Sequence, residues 1–322
     1  MAVFIGTALN DIANATGAGT LIGFAGGSIA LLQDVIGDTF VGFAGNDTVV
    51  AGNGDDVILG GDGNDVIDGR FGFDVMDGGN GIDTMDVSFF AGGYTWDMAT
   101  GLTNFSTSGE FAFNFENAIT GAGNDSITGN AAANLISTGA GNDFADGAAG
   151  NDRMSGGDGI DRMSGGLGND IVDGGTGNDT LSGGTGNDRI NGGDGLDVLT
   201  GGNGIDLING GLGSDIFVYD AIADSGVALG TIDIITGFQN VPFLLGFVDR
   251  IDLRTIDANP FVFGDQAFVF RDNLGFNGTG QVRWFNSGGN TFVALNTDLD
   301  LAPEMLIQLN GIYNLDAVDF LL

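Results

Sequence analysis

The sequence predicts an all-β fold in which short strands stack into a solenoid, and three observations lead to this prediction. First, one nine-residue unit occurs seven times without interruption between residues 156 and 218. Second, each copy ends in three residues whose middle side chain is apolar, the pattern of a very short strand with one side chain directed inward. Third, one such side chain buries too little surface alone, so successive copies must stack to form a core.

The repeating unit has fixed positions, and it extends beyond these seven copies. Positions one, two and four are Gly, position six is Asp and position eight is apolar. Five nonapeptides lie within residues 42–86 and eleven within residues 120–218, and position six is Asp in fifteen of these sixteen. The exception is Asn134, where we expect a weak or absent ion site. The fifteen residues are Asp47, Asp56, Asp65, Asp74, Asp83, Asp125, Asp143, Asp152, Asp161, Asp170, Asp179, Asp188, Asp197, Asp206 and Asp215.

The residue types at these positions indicate a calcium site. Repeated Gly permits tight turns that bring bare backbone carbonyls together, and Asp places a carboxylate on a short stem beside them. Carboxylate and carbonyl oxygens are the ligands of Ca²⁺, which takes about six to eight of them at roughly 2.3–2.6 Å. The alternative is an array of turns without metal, but turn formation alone does not require Asp at every ninth position.

The consensus Gly-Gly-x-Gly-x-Asp-x-apolar-x resembles the nonapeptide of the repeats-in-toxin (RTX) family. The resemblance implies a parallel β-roll, in which two nonapeptides make one turn and the loops on each side hold a column of Ca²⁺ ions. It also implies the ligands, which are the fifteen Asp residues and glycine carbonyls at positions one, two and four. The carbonyls named on this basis belong to Gly157, Gly159, Gly166, Gly168, Gly175, Gly177, Gly184, Gly186, Gly193, Gly195, Gly202 and Gly204.

Composition supports calcium independently of the resemblance. Of 43 acidic residues only three are Glu, and with eight basic residues the net charge is −35. Such a chain repels itself without counter-ions, and neutralising much of this charge needs on the order of ten or more divalent ions. We therefore expect a disordered metal-free chain and a folded Ca²⁺ form. The sign of the charge excludes nucleic acid as a partner.

The chain contains no His and no Cys. This excludes His-ligated zinc sites, Ser-His-Asp triads, thiol nucleophiles and disulfides. No catalytic residue is predicted, and we expect that the chain is not an enzyme.

The first three segments follow from where the repeats begin and break. Residues 1–41 are predicted to be an N-terminal cap of degenerate repeats, one of which lies at residues 6–11. A membrane-contacting segment is the alternative. Its apolar run is too short and Gly-rich for a transmembrane segment, and no basic residue forms a secretory signal. Residues 42–86 are the first RTX block. Residues 87–119 break the phase, and their alternating apolar residues predict a β insert with wider rungs, or alternatively a ligand cleft lined by aromatic residues.

The second RTX block spans residues 120–218. At position five, Ile82, Ile160, Leu196 and Ile205 replace the usual Asn. These residues are interpreted either as exposed spots for partner contact or as local packing.

Residues 219–322 are predicted to be a β-rich C-terminal cap, with strands at 267–270, 281–285 and 305–309. Phe is dense here, at Phe261, Phe263, Phe268, Phe270, Phe276, Phe285 and Phe292. The segment resembles the C-terminal part of serralysin-type RTX metalloproteases, notably at residues 232–238 and 249–253. The last four residues, one acidic and three apolar, resemble the uncleaved signal of type I (ABC) secretion; an ordinary final strand is the alternative.

These observations predict a secreted, non-catalytic calcium-binding protein of the extracellular space or cell surface. Extracellular Ca²⁺ modules bind at roughly 10⁻⁴–10⁻³ M, so the chain is expected to stay unfolded inside the cell and to fold outside it. Its expected role is in a surface, in adhesion or in a matrix, with a cell-surface polysaccharide or another surface protein as partner. The alternatives are an export and folding module of an RTX protease, lipase or epimerase whose catalytic part is elsewhere, or a protein that acts on a host membrane.

Overall fold

The computed structural model describes residues 2–5, 12–13, 19–24, 28–30, 39–42, 44–51, 54–104, 109–241, 247–258, 267–298 and 300–322. For the strands before residue 39, only the backbone is described here. The degenerate repeat predicted at residues 6–11 lies outside the described residues, as do Phe261 and Phe263. The chain divides into two units, Met1–Ser155 and Gly156–Leu322.

The first unit is built almost entirely from short strands that alternate between two sheets. The strands are β1 (Ala2–Ile5), β2 (Ile12–Ala13), β3 (Gly19–Phe24), β4 (Ser28–Ala30), β5 (Thr39–Gly42), β6 (Thr48–Val50), β7 (Val57–Asp62), β8 (Val66–Asp68), β9 (Val75–Asn80), β10 (Thr84–Asp86), β11 (Thr95–Asp97), β12 (Leu102–Thr103), β13 (Phe111–Phe113), β14 (Asn117–Ile119), β15 (Ser126–Thr128), β16 (Leu135–Ala140), β17 (Phe144–Asp146) and the start of β18 (Arg153–Asp158). Odd-numbered strands β1 to β9 form one sheet and even-numbered strands β2 to β10 the other.

Pairing within each sheet is parallel with an offset of two repeats. Val57 of β7 pairs with Val75 of β9, and Thr48 of β6 pairs with Val66 of β8. Two nonapeptides therefore make one turn of the solenoid, and the predicted all-β, parallel β-roll fold is confirmed.

The insert at residues 87–119 stays within the same two sheets but reverses direction in one of them. β12 pairs antiparallel with both β11 and β13, whereas β13 runs parallel to β9 and β11 runs parallel to β15. Its strands are two or three residues long. The insert places two large rings in the core, since Trp96 and Phe115 are buried and pack edge to face at 5.7 Å.

The second unit continues the nonapeptide pattern and then changes to longer strands. Its strands after β18 are β19 (Arg162–Leu167), β20 (Ile171–Thr176), β21 (Thr180–Thr185), β22 (Arg189–Gly195), β23 (Val198–Asn203), β24 (Leu207–Gly213), β25 (Ile216–Val218), β26 (Asp233–Thr236), β27 (Asn240–Val241), β28 (Phe247–Val248), β29 (Arg250–Asp252), β30 (Val269–Phe270), β31 (Gln281–Ser287), β32 (Asn290–Asn296), β33 (Met305–Leu309) and β34 (Phe320–Leu321). Short 3₁₀ helices lie at Ile222–Asp224 and Ala317–Asp319.

Strands β19 to β24 are six or seven residues long, whereas the sequence predicts three. The difference arises because the two glycines and the residue after them continue the ladder. In β20 and β22, for example, Gly175 pairs with Gly193 and Thr176 pairs with Asp194. The glycine turn is therefore itself part of the sheet, and it connects one strand to the next with few residues outside the ladder.

The core of both units is a row of position-eight side chains, as the repeat pattern predicts. Each is at most 3% exposed to solvent. They are Val49, Ile58, Ile67, Met76, Met85, Ile127, Ile136, Ala145, Met154, Met163, Val172, Leu181, Ile190, Leu199, Ile208 and Phe217. Since each repeat contributes one such side chain, the core grows as successive repeats stack, and not through contacts between distant parts of the chain.

Beyond residue 218 the two sheets continue without glycine repeats. β26 pairs in parallel with β24 and β33, and β29 pairs in parallel with β25 and β34. β31 and β32 form an antiparallel hairpin, and β32 also pairs antiparallel with β33. Phe320 and Leu321, which precede the final residue of the sequence, thus form a strand of this sheet.

The glycine turn predicts a large difference between two Gly→Ala substitutions. Gly177 has φ +135°, and a Cβ there would overlap the carbonyl oxygen of Gly159 one turn earlier, whereas a Cβ at Gly275 meets no atom within 4 Å. In excess Ca²⁺, Gly177→Ala should lower the free energy of unfolding by roughly 2–4 kcal/mol. Gly275→Ala should leave it within about 0.5 kcal/mol. Urea denaturation followed by circular dichroism measures both, and equal midpoints would contradict the close approach of the turns.

Candidate metal centre

The fifteen predicted Asp residues all lie in the interior of the glycine turns. Each is at most 3% exposed to solvent, which is unusual because a carboxylate is costly to bury without a compensating charge. The structure thus brings every predicted carboxylate into a comparable buried position, although the chain has ample surface on which acidic residues could stay hydrated.

In the second unit, these carboxylates form two columns held by backbone hydrogen bonds. The Asp161 N–H donates to Oδ1 of Asp179, and the Asp179 N–H donates to Oδ1 of Asp197, both at 2.8 Å. The second column is built in the same way, through Asp170 and Asp188. Each Oδ1 is therefore fixed by the residue one turn earlier, and the columns follow the 18-residue period of the solenoid.

The first unit contains the same arrangement. The Asp47 N–H donates to Asp65 at 2.8 Å, and the Asp65 N–H donates to Asp83 at 2.7 Å. Asn134 occupies a column position as well, since its N–H donates to Oδ1 of Asp152 at 2.7 Å. Its side-chain amide carries no charge and donates through Nδ2 to the Glu116 carbonyl at 2.7 Å. The weak or absent ion site expected at this copy stays a prediction.

Three column members were not identified from the sequence. Asp233 accepts the Asp206 N–H at 2.9 Å, Asp249 accepts the Asp215 N–H at 2.9 Å, and Glu116 accepts the Asp83 N–H at 2.8 Å. None of the three follows a Gly-Gly-x-Gly turn, so the repeat consensus misses them. Each precedes a buried apolar residue by two positions, at Ile235, Ile251 and Ala118, and this shorter Asp/Glu-x-apolar pattern could have found them.

The second carboxylate oxygen of the column residues suits a hard cation. Oδ2 is buried and makes no hydrogen bond in Asp65, Asp83, Asp179, Asp188, Asp197, Asp206 and Asp215. A buried oxygen without a hydrogen-bond partner is destabilising unless another group compensates it. The oxygen atoms that the turns offer to a metal belong to carboxylates and backbone carbonyls, and these are the ligands that Ca²⁺ takes. The residues present therefore fit calcium, with these Asp carboxylates as the charged ligands.

Position-one glycines explain how this oxygen is accommodated. A Cβ on Gly183 would overlap Oδ2 of Asp188, and a Cβ on Gly192 would overlap Oδ2 of Asp197. The same relation recurs through the clean repeats, so the missing side chain at position one is what leaves room for the carboxylate. The predicted assignment of individual glycine carbonyls as ligands stays a prediction.

Burial raises the pKa of the column carboxyls. The pKa of Asp188 rises to about 6 and those of Asp197 and Asp206 to about 7, because the turn removes the charged form from water; a backbone N–H bond offsets part of this effect. Asp233 and Asp249, outside the repeats, show the same behaviour, with pKa values of about 8 and 7. The metal-free columns therefore resist ionisation near neutral pH.

Position five lies on the outer edge of the turns. Where it is Asn, its side chain supports the next turn: Oδ1 of Asn178 accepts the Leu196 N–H at 2.9 Å, and Oδ1 of Asn187 accepts the Ile205 N–H at 2.9 Å. The apolar residues at this position are exposed, with Ile82, Ile160 and Leu196 each at least 55% accessible. The two interpretations given above, contact with a partner and local packing, both stay predictions.

Comparison with known proteins agrees with the geometry. A family model described as the RTX calcium-binding nonapeptide repeat (4 copies) matches residues 41–76, 50–85, 116–145, 146–181 and 182–217. The chain is an RTX-type repeat protein. Among solved structures, this RTX protein is similar to the AlgE6R3 subunit from the Azotobacter vinelandii mannuronan C5-epimerase, studied in solution. The two are 26% identical over 48% of this chain and 78% of that chain, with a TM-score of 0.35. A comparison with curated proteins finds no match.

The family match supports calcium binding by the repeats. The match ends at residue 217, so the likeness of the C-terminal segment to serralysin-type proteases stays a prediction. Within the described part of the RTX protein, no helix has the length and apolar character needed to cross a membrane.

Replacing Asp233 by Asn tests whether the columns extend beyond the repeats. Asn retains an Oδ1 that can accept the Asp206 N–H, so Asp233→Asn removes charge while keeping the hydrogen bond. We expect the Ca²⁺ concentration at half-maximal folding to rise by roughly three- to tenfold. Asp272→Asn, which removes an exposed carboxylate outside the columns and keeps the Oδ1 that accepts the Trp284 Nε1–H, is the matched control and should cause no shift. If the two variants folded at the same Ca²⁺ concentration, Asp233 would not be a ligand of the metal centre.

The raised pKa values predict an inverted pH dependence for the metal-free RTX protein. Because the folded chain binds these protons more tightly than the unfolded chain, the free energy of unfolding falls as pH rises from about 4 to about 7–8. In EDTA, the β-signal in far-UV circular dichroism should therefore be larger at pH 5 than at pH 8. With saturating Ca²⁺ the trend should disappear or reverse, since the metal favours the ionised carboxylates. A metal-free signal that is independent of pH would contradict the burial of the columns.

Proposed function

We propose that this RTX protein is exported unfolded, folds when it meets extracellular Ca²⁺, and then serves as a non-catalytic component of a cell surface or matrix. The observation that carries the proposal is the pair of buried carboxylate columns, whose Oδ2 atoms lack hydrogen bonds at the seven residues named above. The ion pairs of Arg70 with Asp68 and of Arg254 with Asp252 involve carboxylates outside the columns. Compensation is therefore expected from bound cations.

Mass action explains why folding would depend on the compartment. A ligand that binds only the folded state stabilises it by RT ln(1 + [L]/Kd) at each site, so many weak sites together produce a steep dependence on concentration. With affinities of roughly 10⁻⁴–10⁻³ M, the sites would be empty at the low Ca²⁺ concentration of the cytosol and filled outside. An unfolded chain is what a narrow export channel can accept, so the calcium gradient would decide where the roll forms.

Export by type I (ABC) machinery is part of this proposal, and the repeats that match the RTX model support it. The surface role is supported by the exposed apolar residues at position five, such as Ile160 and Leu196, which offer contacts to a surface protein or polysaccharide. A non-catalytic role is supported by the composition, since a chain without His and Cys offers neither an imidazole general base nor a thiol nucleophile.

A calcium titration tests the folding part of the proposal. Far-UV circular dichroism should show a cooperative gain of β-structure near millimolar Ca²⁺, and Mg²⁺ at the same concentration should give much less, because it requires a tighter octahedral site. A chain with full β-structure in excess chelator would contradict the proposal. The surface role is tested separately by sedimenting the Ca²⁺-loaded protein with intact cells of an exporting strain, where protein that remains in the supernatant at every Ca²⁺ concentration would argue against it.

A further inference from the structure

A cavity of about 190 Å³ opens in the first unit, beside the turn that contains Asp74. The wall of the cavity is mainly aromatic. Phe71 and Phe89 pack edge to face with ring centroids 5.3 Å apart, and Phe90 and Tyr94 do so at 6.4 Å. Phe73 also lines the cavity, and Phe71 and Phe73 are 57% and 40% exposed. Five aromatic rings thus surround a space that is accessible from solvent.

The repeat that forms this cavity departs from the consensus in a costly way. Its position-two residue is Arg70, with φ +64°, in a backbone region that a residue with a side chain adopts only at a cost of about 1–3 kcal/mol. The side chain is held in place by Asp68, through Nε at 2.9 Å, and its guanidinium lies over the ring of Phe89 at 4.9 Å from the centroid. Strain that is maintained by specific contacts is typical of functional sites.

The cavity occurs where the column of glycine turns is interrupted. Asp74 accepts the Asp56 N–H at 2.8 Å on one side, and residues 87–119 intervene before Asp125. Tyr94 stands in the column position of an Asp, since its N–H donates to Oδ1 of Asp125 at 2.7 Å. An aromatic ring therefore takes one position of the column, and Glu110 precedes Phe111, which pairs with Val75 next to Asp74.

The polar groups in this wall are predominantly acidic. Asp74 and Glu110 line the cavity and are 3% and 6% exposed, and Glu110 accepts a hydrogen bond from the Tyr94 hydroxyl. The positive charge of Arg70 is already engaged by Asp68. Burial raises the pKa of both Asp74 and Glu110, so a cation that enters the enclosure would favour their ionised forms by compensating the charge.

We propose that this cavity binds an organic ammonium group, such as a methylated amine. Aromatic faces attract cations, and quaternary ammonium groups are recognised by aromatic enclosures of this kind. Glu110, which lies outside the fifteen predicted metal ligands, supplies the counter-charge, while the methyl groups contact the rings of Phe71 and Phe73. A phosphate or carboxylate ligand would be repelled by the acidic wall, and a neutral apolar ligand would leave its carboxylates buried without compensation.

Choline and its uncharged isostere 3,3-dimethylbutan-1-ol are the probes that test this site. Isothermal titration calorimetry is performed on the full chain in saturating Ca²⁺ and 0.15 M salt (about physiological ionic strength), so that the roll is folded and weak surface association is screened. We expect one saturable choline site and at least about tenfold weaker binding of the isostere, because only choline carries the charge. Equal binding of the two compounds would overturn the proposal in favour of a merely apolar pocket.

Two variants and their matched controls locate the site. Phe71→Leu should weaken choline binding by about two- to fivefold and Glu110→Gln by about tenfold. Phe144→Leu, another partly exposed ring of the same unit, and Asp300→Asn, which removes one exposed charge, should bind choline as the parent chain does. Circular dichroism checks that each variant folds, and Phe71→Leu remains informative if Glu110→Gln does not.

Two outcomes would refute the site even if choline binds. The first is an affinity that neither Phe71→Leu nor Glu110→Gln changes, which would place the binding elsewhere on this acidic chain. The second is competitive displacement of choline by Ca²⁺ in the range that folds the roll, which would show that the cavity is a metal site. Neither result bears on calcium-dependent folding, which is measured independently of choline.

Discussion

The stability of the fold depends on how the cost of burying its carboxylates is compensated. The solenoid has a thin core, one apolar side chain per repeat, and beside that core it encloses two columns of Asp residues that are nearly inaccessible to water. The desolvation that raises their pKa opposes folding near neutral pH, and the self-repulsion of a chain with net charge −35 adds to it. A cation bound in the columns would convert this opposing contribution into a stabilising one, and this is the physical basis of the proposed Ca²⁺-dependent folding.

The sequence predicts the structure well at repeat positions where a residue type recurs for a single structural cause. Position-eight side chains such as Ile190 are buried because the middle residue of each short strand faces the core, and the position-six Asp residues are buried because the turn closes around them. The period of nine also predicts the pairing, since Arg162 pairs with Thr180 at an offset of two repeats. For these features, local pattern and tertiary position coincide in every copy.

Other features could not be predicted because different sequences occupy the same structural position. Asp233 and Asp249 extend the columns from segments without glycine turns, through backbone hydrogen bonds that cross 27 and 34 residues. The antiparallel pairing of β12 with β11 and β13 has no periodic signal in the sequence. The nonapeptide repeat is interrupted there, so the pairing depends on which neighbouring strands have unpaired edges. The cavity near Asp74 arises in the same way, from rings that converge through the fold and not through spacing in the chain.

The hydrogen bonds of the columns also have a direction. Each N–H points to the carboxylate of the following turn, so Asp197 is completed by Asp215, and Asp215 by Asp249. The C-terminal end of each column therefore needs an acceptor from outside the repeats. Asp233 and Asp249 supply it by accepting the Asp206 and Asp215 N–H groups, so the segment after residue 218 completes the hydrogen bonding of both columns.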